Sequence, residues 1–137
     1  MDDQQKANYK RVLSEAKHIA IAGLSPDETK PSYRVARYLQ AVGYKIYPIY
    51  PKEIVVLGEK SYNSLAEIVD PVDAVVMFRK GEFAAELIAD VEKKGGVKLF
   101  WLQEGIVNDA AIAKAKELGI ESAQNICIMK TREFLFR

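Results

Sequence analysis

Ile19-Ala20-Ile21-Ala22 runs directly into Gly23-Leu24-Ser25-Pro26. Apolar residues in an unbroken row, ended by a glycine, read as a strand covered on both faces, as in a parallel sheet. The same join recurs where Leu99-Phe100-Trp101-Leu102 meets Gln103-Glu104-Gly105-Ile106. In an open, doubly wound α/β sheet, ligands bind outside the carboxyl ends of the strands, where the strand order reverses. Taking these two runs as strands one and four makes their loops neighbours over one crevice. A nucleotide-type ligand is the leading expectation.

Outward from these joins, strand and helix signals alternate. Tyr9, Val12, Leu13 and Ala16 recur at helical spacing, so residues 1–17 are expected to form a leading amphipathic helix. Val35, Leu39 and Val42 mark a second helix, closed by Gly43. Tyr44 to Tyr50 reads as the second strand, with Pro48 unable to donate to a ladder. Ser64 and Glu67 stand at capping-box spacing at the start of a short helix. Asp73 to Phe78 is the third strand candidate. Phe83, Leu87, Ile88 and Val91 mark the next helix, and Lys98 to Leu102 the fourth strand. Asn108 caps a helix carrying Ala111, Ala115 and Leu118, which Gly119 ends. Ile120 to Met129 is read as a fifth, interrupted strand. The alternation predicts βαβ units, a three-layer αβα arrangement and a five-stranded parallel sheet of order 3-2-1-4-5.

Composition narrows the function classes. The 137 residues suit one domain, and 49% hydrophobic with 28% charged residues is an ordinary globular balance. Twenty Lys and Arg against nineteen Asp and Glu leave a net charge of +1. Such a balance gives no broad field to attract nucleic acid or an anionic membrane. One cysteine, Cys127, and one histidine, His18, rule out an internal disulfide or a Cys/His zinc site. The polar start, Met1 to Gln5, is unlike a secretory signal, and no apolar stretch approaches the roughly 18 residues of a membrane span. A cytoplasmic location is expected.

Four strand-ending segments carry the candidate chemistry. Gly23 permits close backbone approach, the helix after it favours anions, and Ser25, Ser32 and Lys30 add hydroxyls and a charge. The loop lacks the further glycines of a dinucleotide turn, and Ser32 serves equally as a helix cap. After the second strand, Tyr50-Pro51-Lys52 places a lysine where an NAD site needs an acid. That disfavours NAD and leaves NADP and coenzyme A open, since both carry a ribose phosphate. Phe78 and Arg79 offer an apolar face and a planar cation; core packing is the leading role for Phe78, and Arg79 is the stronger ligand candidate of the two. Gln103 can donate and accept, and Gly105 permits close approach. No catalytic residue is predicted: His18 lies at the end away from the crevice, and Cys127 has no activating base near it in sequence.

Taken in order, several segments resemble the small stand-alone CoA-binding proteins of bacteria and archaea. They are Ile21-Ala22-Gly23-Leu24-Ser25-Pro26, Lys30-Pro31-Ser32-Tyr33-Arg34-Val35-Ala36, Pro48-Ile49-Tyr50-Pro51, Leu57 to Tyr62, Val76-Met77-Phe78-Arg79 and Trp101 to Ile106. The resemblance runs from His18 to Lys130. It implies a Rossmann-like fold shared with the CoA-binding domain of the succinyl-CoA synthetase α subunit. It also implies CoA phosphates at Gly23, Leu24 and Ser25, a basic contact at Lys52, and pantetheine along Leu102, Gln103 and Glu104. Pro26, Arg34 and Tyr50 join the candidate set because they lie in the shared motifs. Tyr50-Pro51 stands where the family usually has Asn-Pro. The expected function is binding of CoA or an acyl-CoA without catalysis. The alternatives are an NADP-dependent oxidoreductase and a CoA-responsive subunit of a synthetase-like partner or homo-oligomer.

Overall fold

Both faces of the central strands are covered, and the alternation of side chains explains how. In the computed structural model, which describes residues 1–137, the elements in chain order are α1 (Asp3–Glu15), β1 (His18–Ala22), α2 (Pro31–Ala41), β2 (Lys45–Ile49), β3 (Val55–Val56), β4 (Glu59–Lys60), β5 (Ala74–Met77), α3 (Ala84–Lys94), β6 (Leu99–Leu102), α4 (Asp109–Glu117), β7 (Glu121–Ala123) and α5 (Ile128–Leu135). Ile19, Ile21, Ile46, Val76, Leu99 and Trp101 pack with Tyr9, Leu13, Val35, Leu39 and Ile128, from α1, α2 and α5. Ala20, Ala22, Tyr47, Val75, Met77, Phe100 and Leu102 pack instead with Leu87, Ile88, Val91, Ala111 and Ala115, from α3 and α4. Two apolar cores separated by one sheet make the three-layer, Rossmann-like αβα fold.

Local chemistry sets the helix ends. Asp2 Oδ1 accepts the Gln5 N–H at 2.8 Å while Gln5 Oε1 accepts the Asp2 N–H at 2.9 Å, closing a capping box on α1. Pro31 opens α2, where a missing N–H costs nothing. Asn108 Oδ1 accepts from the Ala111 N–H and starts α4. The expected box at Ser64 is not made. Glu67 Oε1 accepts from Asn63 N–H, the Ser64 side chain caps nothing, and Leu65–Glu67 is a single 3-10 turn.

The sheet is parallel throughout, in the order β2-β1-β5-β6-β7. Outside β2, Tyr62 forms one parallel bridge, its N–H donating to Pro48 O at 2.8 Å and its carbonyl accepting the Tyr50 N–H at 2.9 Å. Counted as the third of six positions, this bridge gives the order 3-2-1-4-5-6, which contains the 3-2-1-4-5 pattern. The correction concerns the residues that fill it: Asp73–Phe78 is the fourth strand and lies beside β1, not at the edge. Ala74–Met77 is no more than 1% exposed, a burial on both faces that an edge position does not offer. The crevice therefore opens between β1 and β5, and β6 lies one strand further along.

A second correction falls at the C-terminal end. Residues 120–129 are not one interrupted strand. β7 stops at Ala123, Asn125 turns the chain at φ 58, and Ile128 begins α5. Arg132 Nε donates to Tyr44 OH at 2.9 Å and ties α5 to the segment after α2.

At the amino edge of the sheet, Asp73 Oδ2 accepts both the Lys17 and the His18 N–H at 2.8 Å. Asp73→Ala orphans these two donors, and we expect a loss of about 1–2 kcal/mol. A lower urea midpoint at unchanged denaturant slope would report it.

Candidate functional site

Gly23 leaves β1 at φ 81, with its N–H donating to Ile49 O at 2.9 Å. A Cβ at this position would stand 2.8 Å from Arg79 Cγ and 2.9 Å from the Phe78 carbonyl oxygen. The glycine is thus required twice, by its left-handed backbone and by the chain leaving β5 against it. Beyond it, the Ser25 N–H donates to Ser32 Oγ at 3.1 Å, which joins the loop to the first turn of α2. Asp27 turns its carboxylate onto Thr29, accepting from N at 2.9 Å and Oγ1 at 2.7 Å. The Thr29 side-chain bond, with the backbone bond second, holds this carboxyl below the usual range. The acid is therefore spent within its own turn. The Ser32 N–H, in the first turn of α2, carries no intramolecular hydrogen bond, and neither does the Leu24 N–H just after β1.

The main cavity over the carboxyl edge, about 490 Å³, lies between α2 and α5. Pro31, Arg34 and Val35 line it from α2, Phe78 and Gln103-Glu104 from the strand ends, and Cys127, Met129 and Lys130 from the last segment. Lys130 Nζ pairs with Glu104 Oε1 at 3.4 Å across its rim. On the other side of the sheet edge, a smaller cavity of about 80 Å³ is lined by Ala22, Ile49, Met77, Arg79 and Phe83, among others. There the Arg79 guanidinium stacks on Phe83 at 3.7 Å. A third cavity, about 290 Å³, lies at the opposite end between Arg11, Glu15, Asp73 and Lys98, away from every strand-ending loop.

The structure brings Arg34, Phe78, Gln103 and Glu104 to one cavity and sets Gly23 against Phe78 and Arg79. Leu24 and Leu102 are fully buried in the two cores, backbone as well as side chain, so neither presents exposed surface to a ligand. Pro26, Lys30 and Lys52 are exposed and line neither cavity. Lys52 is placed by its carbonyl, which accepts from Ser61 Oγ at 2.9 Å. Tyr50 is tied by its N–H to Tyr62, and Gly105, at φ 82, donates its N–H to Asn125 Oδ1 at 2.7 Å. Sequence reasoning missed Asn125, Met129 and Lys130 as parts of the site. A signal for them existed: Asn tolerates the left-handed turn, and Ile128, Thr131 and Leu135 follow at helical spacing. Cys127 is buried, yet it also lines the cavity. His18 Nδ1 lies 2.7 Å from Pro71 O at the far end of β1. No three His, Cys, Asp or Glu side chains are grouped to hold a metal, and no helix is long and apolar enough to cross a membrane.

A parallel sheet with glycine-bearing loops gathered over its carboxyl edge defines a Rossmann-like domain of the class whose ligands lie across that edge. The chain belongs to the CoA binding domain family, whose model matches residues 17–133. It is 35% identical over 128 residues to YneT of Bacillus subtilis, covering 93% of this chain and 94% of that one. A solved structure of a hypothetical protein from Pyrococcus horikoshii superposes with a TM-score of 0.90 at 34% identity, covering 96% of this chain and 92% of that one. The chain is also homologous to part of an ADP-forming acetate–CoA ligase II subunit alpha from Pyrococcus furiosus. There it is 31% identical over 103 residues, which is 73% of this chain and only 22% of the subunit.

Proposed function

We propose that this protein binds coenzyme A, free or acylated, over the carboxyl edge of the sheet and performs no chemistry on it alone. The family match carries the reading, and the site fits the ligand in kind. Gly23 keeps a cradle that any side chain would fill, and one unpaired amide, that of Ser32, lies in the first turn of α2. Arg34 and Lys130 bring cations to the cavity while Phe78, Val35 and Met129 give it apolar walls. Such a mixture suits a ligand with phosphates at one end and an apolar tail at the other. The absence of catalysis rests on a scarcity of acid–base groups: the only histidine is at the far end of β1.

Lys52, after β2, is the proposed partner of the ribose 3′-phosphate. Calorimetry is expected to find CoA bound about five- to tenfold more tightly than dephospho-CoA, the scale of one charge-assisted contact. In Lys52→Gln the two ligands should converge. Equal affinities in the unaltered protein would remove Lys52 from the site. Thermal protection by NADPH but not by CoA would replace the reading with a dinucleotide one.

A further inference from the structure

Gln103 is only 3% exposed, and its two polar ends are treated differently. Oε1 accepts the Ile128 N–H at 2.8 Å, the first amide of α5, which has no partner within its own helix. Because that partner is a donor, the carboxamide oxygen must face it, and the NH2 end must face away. Nε2 finds no acceptor in the chain, and it is not sealed from solvent although its residue is buried. It belongs to a side chain that lines the 490 Å³ cavity, beside Phe78 and Met129. The nearby carboxylate of Glu104 is engaged with Lys130. A nearly buried amide donor without an acceptor, in a partly apolar cleft, is a place prepared for one.

We infer that Gln103 reads its ligand in one sense only: Nε2 donates to a carbonyl oxygen of the CoA tail, and no ligand donor can take that place. The inference rests on the CoA reading above and sharpens it. Two carbonyl sources share this chemistry, the pantetheine amides and an acyl thioester. The same side chain also anchors α5, so the helix that walls the cleft and the ligand within it are held by opposite ends of one carboxamide.

Gln103→Glu separates the two jobs. A carboxylate of the same shape still accepts from Ile128 N–H but donates nothing. Calorimetry with CoA and with acetyl-CoA at about pH 8.5 keeps the new carboxyl ionised. Repeating it at about 0.1 M and about 1 M salt screens simple repulsion of the phosphates. We expect the ligand-free melting temperature to stay within a few degrees of the parent and affinity to fall about tenfold at both salts. Equal losses for the two ligands would identify a pantetheine amide, and a loss confined to acetyl-CoA the thioester. Unchanged affinity, or a loss that vanishes at high salt, would overturn the inference and leave CoA binding standing. Failure of the parent to bind either ligand would overturn both. Should the variant not fold, the side-chain amide resonances of Gln103 in the parent decide: a downfield-shifted proton on adding CoA supports the inference, and an unmoved pair defeats it.

Discussion

Gly23→Val is expected to abolish measurable CoA binding and to cost about 2–4 kcal/mol of stability. The two effects share one origin. A branched side chain at φ 81 pays the left-handed penalty, and its Cβ starts 2.8 Å from Arg79 Cγ and 2.9 Å from the Phe78 carbonyl. The Arg79 stem can swing aside, but the Phe78 carbonyl belongs to the backbone leaving β5 and cannot move without opening the β1–β5 ladder. The variant must therefore either lift the Gly23–Ser25 loop away from the sheet or spread the two strands, and each removes the backbone surface proposed for the phosphates. Calorimetry beside a urea melt checks both halves. Gly23→Val that binds CoA as the parent does would place the phosphates elsewhere, even if stability fell as expected.

The largest purely structural loss is expected at Trp101, where Trp101→Ala should cost about 3–5 kcal/mol. Its indole is fully buried, meets the Tyr9 ring edge-on at 5.0 Å between centroids, and donates Nε1–H to Ile126 O at 2.8 Å. Truncation empties the layer between β6 and α1 and also frees the carbonyl just before Cys127. Two readouts follow: a much lower urea midpoint, and faster amide hydrogen exchange across Asn125–Ile128. Fast exchange confined to α1, with the 125–128 turn unchanged, would show that the indole hydrogen bond contributes nothing to holding the cleft wall.

Much of this was legible before any coordinates. Ile19–Ala22 and Leu99–Leu102 announced covered strands because an unbroken apolar row tolerates water on neither face. Gly23 announced its loop because a strand-ending glycine marks a close approach of backbone, here that of Phe78. Neighbour relations were harder to read. Periodicity tells how deeply Ala74–Met77 is buried but not which strand lies beside it, so the single Tyr62 bridge and the displacement of β6 by one place were hidden. Gln103 was recognised as an amide that can serve either way. That one end is already committed to Ile128 depends on α5, which a strand reading of residues 120–129 conceals. Leu24 and Leu102 show the opposite limit: they lie in candidate site segments yet point into the cores, because a motif marks a stretch of chain and not the direction of each side chain.

Pro48 and Tyr62 have an effect that reaches beyond the binding cleft. The backbone groups of residues 48 and 50 point outward from β2, so the donor that proline lacks is missing on the free margin and not from the pairing with β1. Tyr62 takes the Pro48 carbonyl and the Tyr50 N–H with its single bridge. A stray chain arriving at that margin finds neither an open row of donors nor an open row of acceptors, and so has nothing on which to begin stacking. The protein thereby guards itself against self-templated aggregation on the side where its sheet would otherwise be left unfinished.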